Sequence, residues 1–244
     1  MGLQGKVALV TAASRGIGRA IAERLAADGA SVVVNYHTNE AAAKDVVETI
    51  KAAGGEAVAV RADIGVPADI ERLYKEALAA FGGLDIVVNN AGITVVGPTA
   101  LFDEEALDRA LAINVKGTFL SLKHAANHVR DGGRIINIST GYTRAPNPYV
   151  GVYVGSKAAV EQFGHSLAKE LGERKITVNS VLPGLTDTDG VAPEVRAQAD
   201  VYISQTPLGR FGTPDDIAGV VAFLAGEDGK WVTGQAISAT GGLA

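Results

Sequence analysis

Two side chains that can move a proton lie four residues apart, in a segment (152–172) whose apolar spacing predicts a helix. On one helix face, Tyr153 and Lys157 are neighbours. A free tyrosine, with a pKa of about 10, exchanges protons poorly at neutral pH, and a nearby ammonium group favours its phenolate form. We therefore expect Lys157 to lower the pKa of Tyr153, so that the phenol serves as general acid/base for a carbonyl or alcohol oxygen. An ordinary Tyr and Lys pair on a helix surface is the alternative.

A glycine-rich turn follows the first predicted strand (6–11) and leads into a predicted helix (16–27). Its residues are Thr11-Ala12-Ala13-Ser14-Arg15-Gly16-Ile17-Gly18. Glycines let a backbone approach a pyrophosphate closely, and a helix N-terminus supplies free N–H groups and the positive end of the helix dipole. The turn predicts a phosphate site for a dinucleotide. A turn that only packs the helix on the strand is the alternative.

The end of the second predicted strand (30–36) indicates which dinucleotide binds. An acidic residue there would bond the ribose hydroxyls of NAD and repel a 2′-phosphate. The residues at this point are Asn35, Tyr36, His37 and Thr38, and none of them is acidic. Arg15 in the glycine turn can pair with a phosphate. We therefore expect NADP(H) to be preferred, with NAD(H) as the alternative.

Apolar strands and amphipathic helices alternate along the whole chain. Predicted strands cover 6–11, 30–36, 57–61, 84–89, 134–139, 176–182 and 235–238. Predicted helices cover 16–27, 39–53, 67–81, 103–112, 115–130, 152–172 and a segment that begins after its N-cap, Thr213. This alternation is typical of a parallel sheet covered on both faces. We expect one α/β domain over 1–244, a doubly wound (Rossmann) parallel sheet of about seven strands with helices on both faces.

Composition excludes several classes of protein. The 244 residues include no cysteine, so disulfides, thiolate zinc sites and a cysteine nucleophile are excluded. The formal charge of −5 argues against nucleic acid as a partner. His124 and His128 have helical spacing but lack a third ligand, so no metal is expected. The N-terminal apolar run is too short to span a membrane, and it lacks a cleavage site, so we expect a cytoplasmic protein with no membrane contact.

Six motifs in order resemble those of the short-chain dehydrogenase/reductase family. The glycine turn resembles the family's Thr-Gly-x3-Gly-x-Gly, with Ala12 in place of the first glycine. The other five are Asp63-Ile64, Asn89-Asn90-Ala91-Gly92, Asn114-Val115-Lys116-Gly117, the Tyr153 and Lys157 pair, and Pro183-Gly184 with Thr186 and Thr188 beyond it. In pattern the chain is most similar to members that resemble 3-oxoacyl-acyl-carrier-protein reductase and glucose dehydrogenase.

The resemblance implies a role for each motif. Asp63 would receive the adenine amino group, and Lys157 would also hold the nicotinamide ribose. Asn114 would lie in a helix distortion that supports a water-linked proton path to Lys157, with an N-cap of the following helix as the alternative. The residues predicted to bind the cofactor are Thr11, Ser14, Arg15, Gly16, Ile17, Gly18, Asn35, Tyr36, His37, Thr38, Asp63, Ile64, Asn90, Ala91, Gly92, Tyr153, Lys157, Pro183, Gly184, Thr186 and Thr188.

The family also has a serine, usually thirteen residues before the tyrosine, that orients the substrate oxygen. Counting back from Tyr153 gives Thr140, whose hydroxyl offers the same donor and acceptor. Ser139 lies one residue off and remains the alternative. The predicted catalytic residues are Asn114, Ser139, Thr140, Tyr153 and Lys157.

The resemblance implies an NADPH-dependent carbonyl reductase that acts on a 3-oxoacyl thioester or a small ketone. An NAD-dependent polyol or sugar dehydrogenase and a non-catalytic NADP-binding regulator are the alternatives. A substrate lid is expected at about 186–210, with Tyr142, Tyr149 and Tyr202 as candidate pocket residues.

The resemblance also implies partners. A homotetramer is expected, formed through helices around 103–130 and 152–172. Arg130 and Arg174 are candidates for a basic patch that would bind an acyl carrier protein, although two arginines are more often solvated surface.

Overall fold

A computed structural model describes residues 2–191 and 193–244. Within them, seven parallel strands form one sheet in the order β3-β2-β1-β4-β5-β6-β7. The strands are Val7–Val10 (β1), Ser31–Tyr36 (β2), Ala57–Arg61 (β3), Leu84–Asn89 (β4), Val129–Ile138 (β5), Thr177–Pro183 (β6) and Ala236–Ala239 (β7). The helices are Gly16–Ala27 (α1), Glu40–Ala52 (α2), Pro67–Phe81 (α3), Glu104–Ala110 (α4), Thr118–His128 (α5), Gly151–Glu170 (α6), Pro193–Ala197 (α7), Ala199–Gln205 (α8) and Pro214–Ala225 (α9). This confirms the predicted fold class.

The strands are apolar on both faces because helices cover both. In β1, Ala8 packs in the layer beneath α1, α2 and α9, whereas Leu9 packs in the opposite layer beneath α3 and α5. Alternate side chains of a strand point to opposite faces, so a doubly covered strand must be apolar throughout. All seven carboxyl ends meet at one edge of the sheet, and a ligand of an open parallel sheet binds at such an edge.

Short local signals begin and end the helices. Asn39 accepts the Ala42 N–H (3.0 Å) at the start of α2, and Gly82 ends α3 in the left-handed region. Thr213 caps α9, and Asp216 completes the capping box by accepting the Thr213 N–H at 2.7 Å. These caps are the ones that residue type alone predicts.

The chain between β4 and β5 differs from the prediction of two separate helices. α4 and α5 form one continuous run, joined by the π-helical segment Leu111–Gly117. β5 also begins earlier than expected, because Val129 already pairs with Leu84 before the register shifts and pairing resumes at Arg134. The predicted helix therefore ends at His128 and not at 130. In the expected lid, residues 193–205 form the short α7 and α8; residue 192 lies outside the described residues, and the lid stays a prediction.

The two candidate arginines of the basic patch lie at the opposite edge of the sheet, where β4 and β5 begin. Arg130 pairs with Asp85 (3.2 Å) and donates to the Gly82 carbonyl, while Arg174 pairs with Asp131 at 2.8 Å. Both guanidinium groups thus bind the protein itself, so the structure gives no support to a patch for an acyl carrier protein at this place.

Other surfaces bear on the remaining partner predictions. Leu111 and Phe119 are exposed on the helices predicted to form a subunit interface, and the homotetramer stays a prediction. In the described part of the chain, no helix is both long and apolar enough to cross a membrane.

Ala12 adopts a backbone conformation that favours glycine. Its φ is +49°, in the left-handed region, where an L side chain costs roughly 1–2 kcal/mol. Its N–H donates to Asn35 Oδ1 (3.0 Å) and its carbonyl accepts from Asn90 Nδ2 (3.2 Å), so neighbours on both sides fix this conformation. The family's glycine at this position has a direct physical reason, and Ala12 retains the turn with some strain.

Replacing Ala12 with glycine is expected to stabilise the protein. Relief of the left-handed strain outweighs the larger chain entropy of unfolded glycine, so Ala12→Gly raises the free energy of unfolding by about 0.5–1 kcal/mol. Urea denaturation measures the change. The control is Ala13→Gly, at a buried neighbour outside the left-handed region, which is expected to destabilise. Equal destabilisation by the two variants would contradict the strain at Ala12.

Candidate active site

Thr11 joins the glycine turn to the end of β4. Its hydroxyl oxygen accepts the N–H groups of Asn90 and Ala91, both at 2.9 Å. In return, Asn90 Nδ2 donates to the carbonyls of Thr11 (2.9 Å) and Ala12 (3.2 Å). A Cβ on Gly18 would lie 2.4 Å from the Ala12 carbonyl oxygen, so only glycine lets α1 approach this closely. The first and third predicted motifs therefore form one hydrogen-bonded unit.

The N-terminus of α1 is open toward this edge. In the described chain, no side chain caps it at Arg15, and its first turn holds no acid, so its N–H groups and dipole suit an anion. The loop after β6 reaches the same point, since a Cβ on Gly16 would lie 3.4 Å from Thr188 Cγ2. Thr186 is buried and bonds the Gly184 carbonyl at 3.0 Å, which fixes the start of that loop.

The Asn35 side chain points into the protein, and its prediction as a cofactor contact stays a prediction. The side chain is buried, where Nδ2 lies 3.2–3.3 Å from the carbonyls of Tyr36, Val60 and Ala62. Its Oδ1 accepts the Ala12 N–H, so Asn35 holds the turn from behind. Tyr36 is also buried.

The exposed residues beyond β2 lie beside Asp63. His37 and Thr38 face solvent, and His37 Nε2 lies 3.5 Å from Asp63 Oδ2. Arg15 of the glycine turn is exposed as well. These three side chains are the accessible polar groups among those predicted to select the dinucleotide.

Asp63 is held as a carboxylate at the end of β3. Burial raises its pKa, but a hydrogen bond from Arg109, the Gly65 N–H and the nearby His37 outweigh burial, and the pKa is lowered overall. Arg109 Nη2 donates to Oδ2 at 2.9 Å, and the Gly65 N–H donates to Oδ1 at 2.8 Å. Sequence reasoning missed Arg109, because α4 is far from Asp63 in the chain and no motif links them.

Asn114 lies at the centre of the π-helical segment and is fully buried. Its Oδ1 accepts the Ile93 N–H and its Nδ2 donates to the Ile93 carbonyl, both at 2.9 Å. Nδ2 also lies 3.0 Å from Ser156 Oγ. The helix distortion implied by the resemblance is therefore present, whereas the N-cap alternative is wrong because the helical run continues through Asn114.

The Lys157 ammonium and the Asn114 amide both lie close to the backbone of Gly92. A Cβ on Gly92 would lie 2.8 Å from Lys157 Nζ and 3.3 Å from Asn114 Oδ1, so glycine leaves the space that the lysine occupies. Nζ donates to the carbonyl of Ile138, the last residue of β5, at 2.8 Å. Burial lowers the pKa of Lys157 to about 8, because the charged form loses its hydration.

Tyr153 lies half-buried on the same helix face. Burial raises the pKa of its phenol, and hydrogen bonds with the hydroxyls of Thr140 and Thr94 oppose that shift without reversing it. Among the described residues, Lys157 is not one of the groups that shift this pKa, so the expected lowering by the lysine is wrong for the protein chain alone. Thr94, two residues beyond Gly92, was missed because no motif includes it.

The two candidate hydroxyls at the end of β5 have different partners. Thr140 bonds Tyr153, and its Oγ1 also accepts the Tyr142 N–H at 3.3 Å. Ser139 is buried and donates to Glu161 Oε1 at 2.6 Å. The structure brings Thr140 together with the phenol and turns Ser139 toward the body of the protein.

The three candidate pocket tyrosines differ in their surroundings. Burial raises the pKa of Tyr142, the nearby Tyr202 adds to the shift, and a hydrogen bond with Asn147 opposes it. Tyr149 is exposed, and its carbonyl accepts the Gly97 N–H at 2.8 Å.

The two candidate histidines belong to a separate aromatic cluster. The rings of His124 and His128 pack beside Tyr74. The described residues contain no group of three or more His, Cys, Asp or Glu that could hold a metal ion.

Comparison with known proteins identifies relatives along nearly the whole chain. Residues 11–244 match the protein family described as Enoyl-(Acyl carrier protein) reductase. An uncharacterized oxidoreductase from Methylorubrum extorquens is 48% identical over 244 residues, which cover 99% of this chain and 98% of that protein.

Solved structures of similar proteins share the fold of this chain along nearly its whole length. A short-chain dehydrogenase from Burkholderia cenocepacia in complex with NADP is 41% identical with a TM-score of 0.95, covering 100% of this chain and 99% of that one. The angucycline C-6 ketoreductase LanV with bound NADP is 45% identical with a TM-score of 0.93, and the match covers 99% of this chain and 96% of that one. Given these matches and the motifs gathered at the carboxyl edge of the sheet, the chain belongs to the short-chain dehydrogenase/reductase family of oxidoreductases.

Proposed function

We propose that the protein is an NADPH-dependent carbonyl reductase, with Tyr153 as the general acid. The observation that carries this proposal is a half-buried phenol with a raised pKa that hydrogen-bonds the Thr140 hydroxyl, one helical turn from Lys157 on α6. A phenol that keeps its proton at neutral pH suits the donation of a proton to a carbonyl oxygen. The NADP-bound relatives support the choice of cofactor.

The residues at this edge fit a nicotinamide dinucleotide, because the first N–H groups of α1 have neither a capping side chain nor an acid beside them and the exposed Arg15 precedes them. The N-terminus of α1 would hold the pyrophosphate, and Asp63 would hold the adenine amino group. Arg15 and His37 would bind the 2′-phosphate. Lys157 would hold the nicotinamide ribose. When bound, the cofactor supplies the hydride that reduces the carbonyl carbon.

Two side chains then act on the substrate oxygen, and two more support them. Thr140 orients the carbonyl oxygen, which is supported by its hydrogen bond to Tyr153, and the Tyr153 hydroxyl donates the proton that completes the alcohol. Lys157, with a pKa of about 8, exchanges protons near neutral pH and resupplies the phenol along a water-linked path, since its Nζ itself donates to the Ile138 carbonyl. Asn114 fixes the backbone at Ile93 beside this path. Burial disfavours the phenolate that oxidation of an alcohol would require, so at neutral pH the Tyr153 phenol is in the form that donates a proton.

The substrate is a ketone. Tyr142 lies near both Tyr153 and Tyr202, and the similar LanV is an angucycline C-6 ketoreductase. Cyclic aromatic ketones therefore belong in a substrate panel together with 3-oxoacyl thioesters, small activated ketones and sugars. A non-catalytic regulator would bind NADPH without consuming it with any of them.

Tyr153→Phe is expected to lower kcat by roughly 100- to 10,000-fold, because the variant lacks the proton donor. The Kd for NADPH is expected to stay within about twofold, since the ring remains in place. NADPH absorbance follows turnover. The control, Tyr74→Phe, removes a buried phenol that bonds Ser121 on another face; it is expected to lower stability and to retain turnover per folded molecule. Full turnover by Tyr153→Phe would rule out this general acid.

Lys157→Met is expected to change how stability depends on pH. The folded pKa of about 8 lies below the reference value of 10.5, so between these values the unfolded chain binds more protons and wild-type stability rises with pH. From pH 7 to 10.5, the wild type should therefore gain roughly 3 kcal/mol in free energy of unfolding relative to the variant. Urea denaturation of both proteins across this range measures the difference. A difference that stays constant with pH would exclude the lowered pKa.

Arg15→Ala is expected to weaken NADPH binding by roughly 10- to 100-fold, because a charge-assisted bond to the 2′-phosphate is lost, while NADH binding stays nearly unchanged. Titration of cofactor fluorescence gives both Kd values. Arg24→Ala is the matched control, since Arg24 lies at the other end of α1 and pairs with Asp28. Equal weakening of NADPH and NADH by Arg15→Ala would contradict the assignment.

A further inference from the structure

One face of α6 contacts three consecutive residues at the end of β5. Tyr153 bonds Thr140, Lys157 donates to the Ile138 carbonyl, and Glu161 accepts from Ser139. These α6 residues recur every four positions, so they form one stripe along the helix. The proposed mechanism uses the first two members and gives no role to the third.

Glu161 binds the segment 139–144 at both of its ends. Its Oε1 accepts the Ser139 hydroxyl at 2.6 Å, and its Oε2 pairs with Arg144 Nη2 at 3.0 Å. The carboxylate is buried, whereas Arg144 is half-exposed. A buried carboxylate is tolerated when both of its oxygens have such partners, so the Glu161 side chain and the two ends of the segment hold one another in place.

Few other backbone hydrogen bonds attach the segment to the rest of the described chain. Ser139 makes the last sheet bond, from its N–H to the Val181 carbonyl at 2.8 Å. Beyond it, the backbone hydrogen bonds of 140–144 that the described residues make connect the segment to itself and to Ala145. The segment carries both Thr140, the hydroxyl beside the phenol, and Tyr142.

We propose that Glu161 is a positioning residue, which holds the segment 139–144 so that the Thr140 hydroxyl stays within hydrogen-bond distance of the Tyr153 phenol. The inference rests on the proposed function. Ser139 then acts as an attachment point of the segment, and Thr140 is the residue that contacts the substrate oxygen. Because misplacing a reacting group by about 1 Å slows catalysis by up to roughly 100-fold, loss of the attachment reduces the rate while the cofactor site, on other elements, is unaffected.

The test compares Glu161→Gln with Glu170→Gln, the same change at an exposed position of α6. For Glu161→Gln we expect kcat per NADPH-binding site to fall roughly 10- to 100-fold, with the Kd for NADPH within about twofold. Glu170→Gln retains the wild-type kcat. Arg144→Gln lowers kcat and Arg144→Lys restores most of it, and this pair of variants keeps the test valid if Glu161→Gln folds poorly. A purely structural role would reduce the number of binding sites and leave kcat per site unchanged, which would overturn the proposal.

A double variant separates the two hydroxyls. Ser139→Ala added to Glu161→Gln is expected to cause little further loss, because both changes remove the same attachment. If Ser139→Ala alone slows turnover much more than Glu161→Gln, while Thr140→Ala has little effect, then Ser139 orients the substrate and the proposal is overturned. A wild type that binds NADPH but reduces no ketone would overturn both the proposed function and this role. A wild type whose activity needs Tyr153 but not Glu161 would overturn this role alone.

Discussion

Backbone groups at the carboxyl edge of the sheet must find hydrogen-bond partners after their strands end, and this constraint organises the molecule. Buried N–H and carbonyl groups are costly when unpaired. Here side chains supply the partners: Thr11 for the residues after β4, Asn35 for those around β2 and β3, and Asn114 for Ile93. Because these side chains lie where chains turn, the same bonds that complete the fold also fix the geometry of the site.

Burial acts on the two proton-carrying side chains in opposite senses. It raises the pKa of Tyr153 and lowers that of Lys157, so it favours the neutral form of each. The two groups are neighbours on a helix, yet the lysine ammonium is directed to the Ile138 carbonyl. The sequence spacing correctly indicated a shared face, but a shared face does not establish which atom a long side chain reaches.

Features with a local cause could be predicted from the sequence. The alternation of apolar strands with helices gave the doubly wound sheet, and the caps at Thr213 and Gly82 depend on residue type. Contacts between distant elements could not be predicted. Arg109 on α4 reaches Asp63 in the loop after β3, Thr94 reaches Tyr153, and Asn35 turns inward because three carbonyls converge on it. These partners depend on the packed arrangement of elements, which no spacing along the chain encodes.

The π-helical segment Leu111–Gly117 also explains why two helices were predicted where one run exists. A wide turn holds more residues than an α-helical turn of the same length, so the helix faces on its two sides are out of phase. Compared with a regular α-helix, the segment contains one additional residue. Deleting one residue there would let α4 and α5 join as a regular helix, and Asn114 would rotate away from Ile93. Deletion of one residue from this segment would leave a continuous helix and therefore preserve the fold. The position of Asn114, and with it the geometry of the site, depends on that residue.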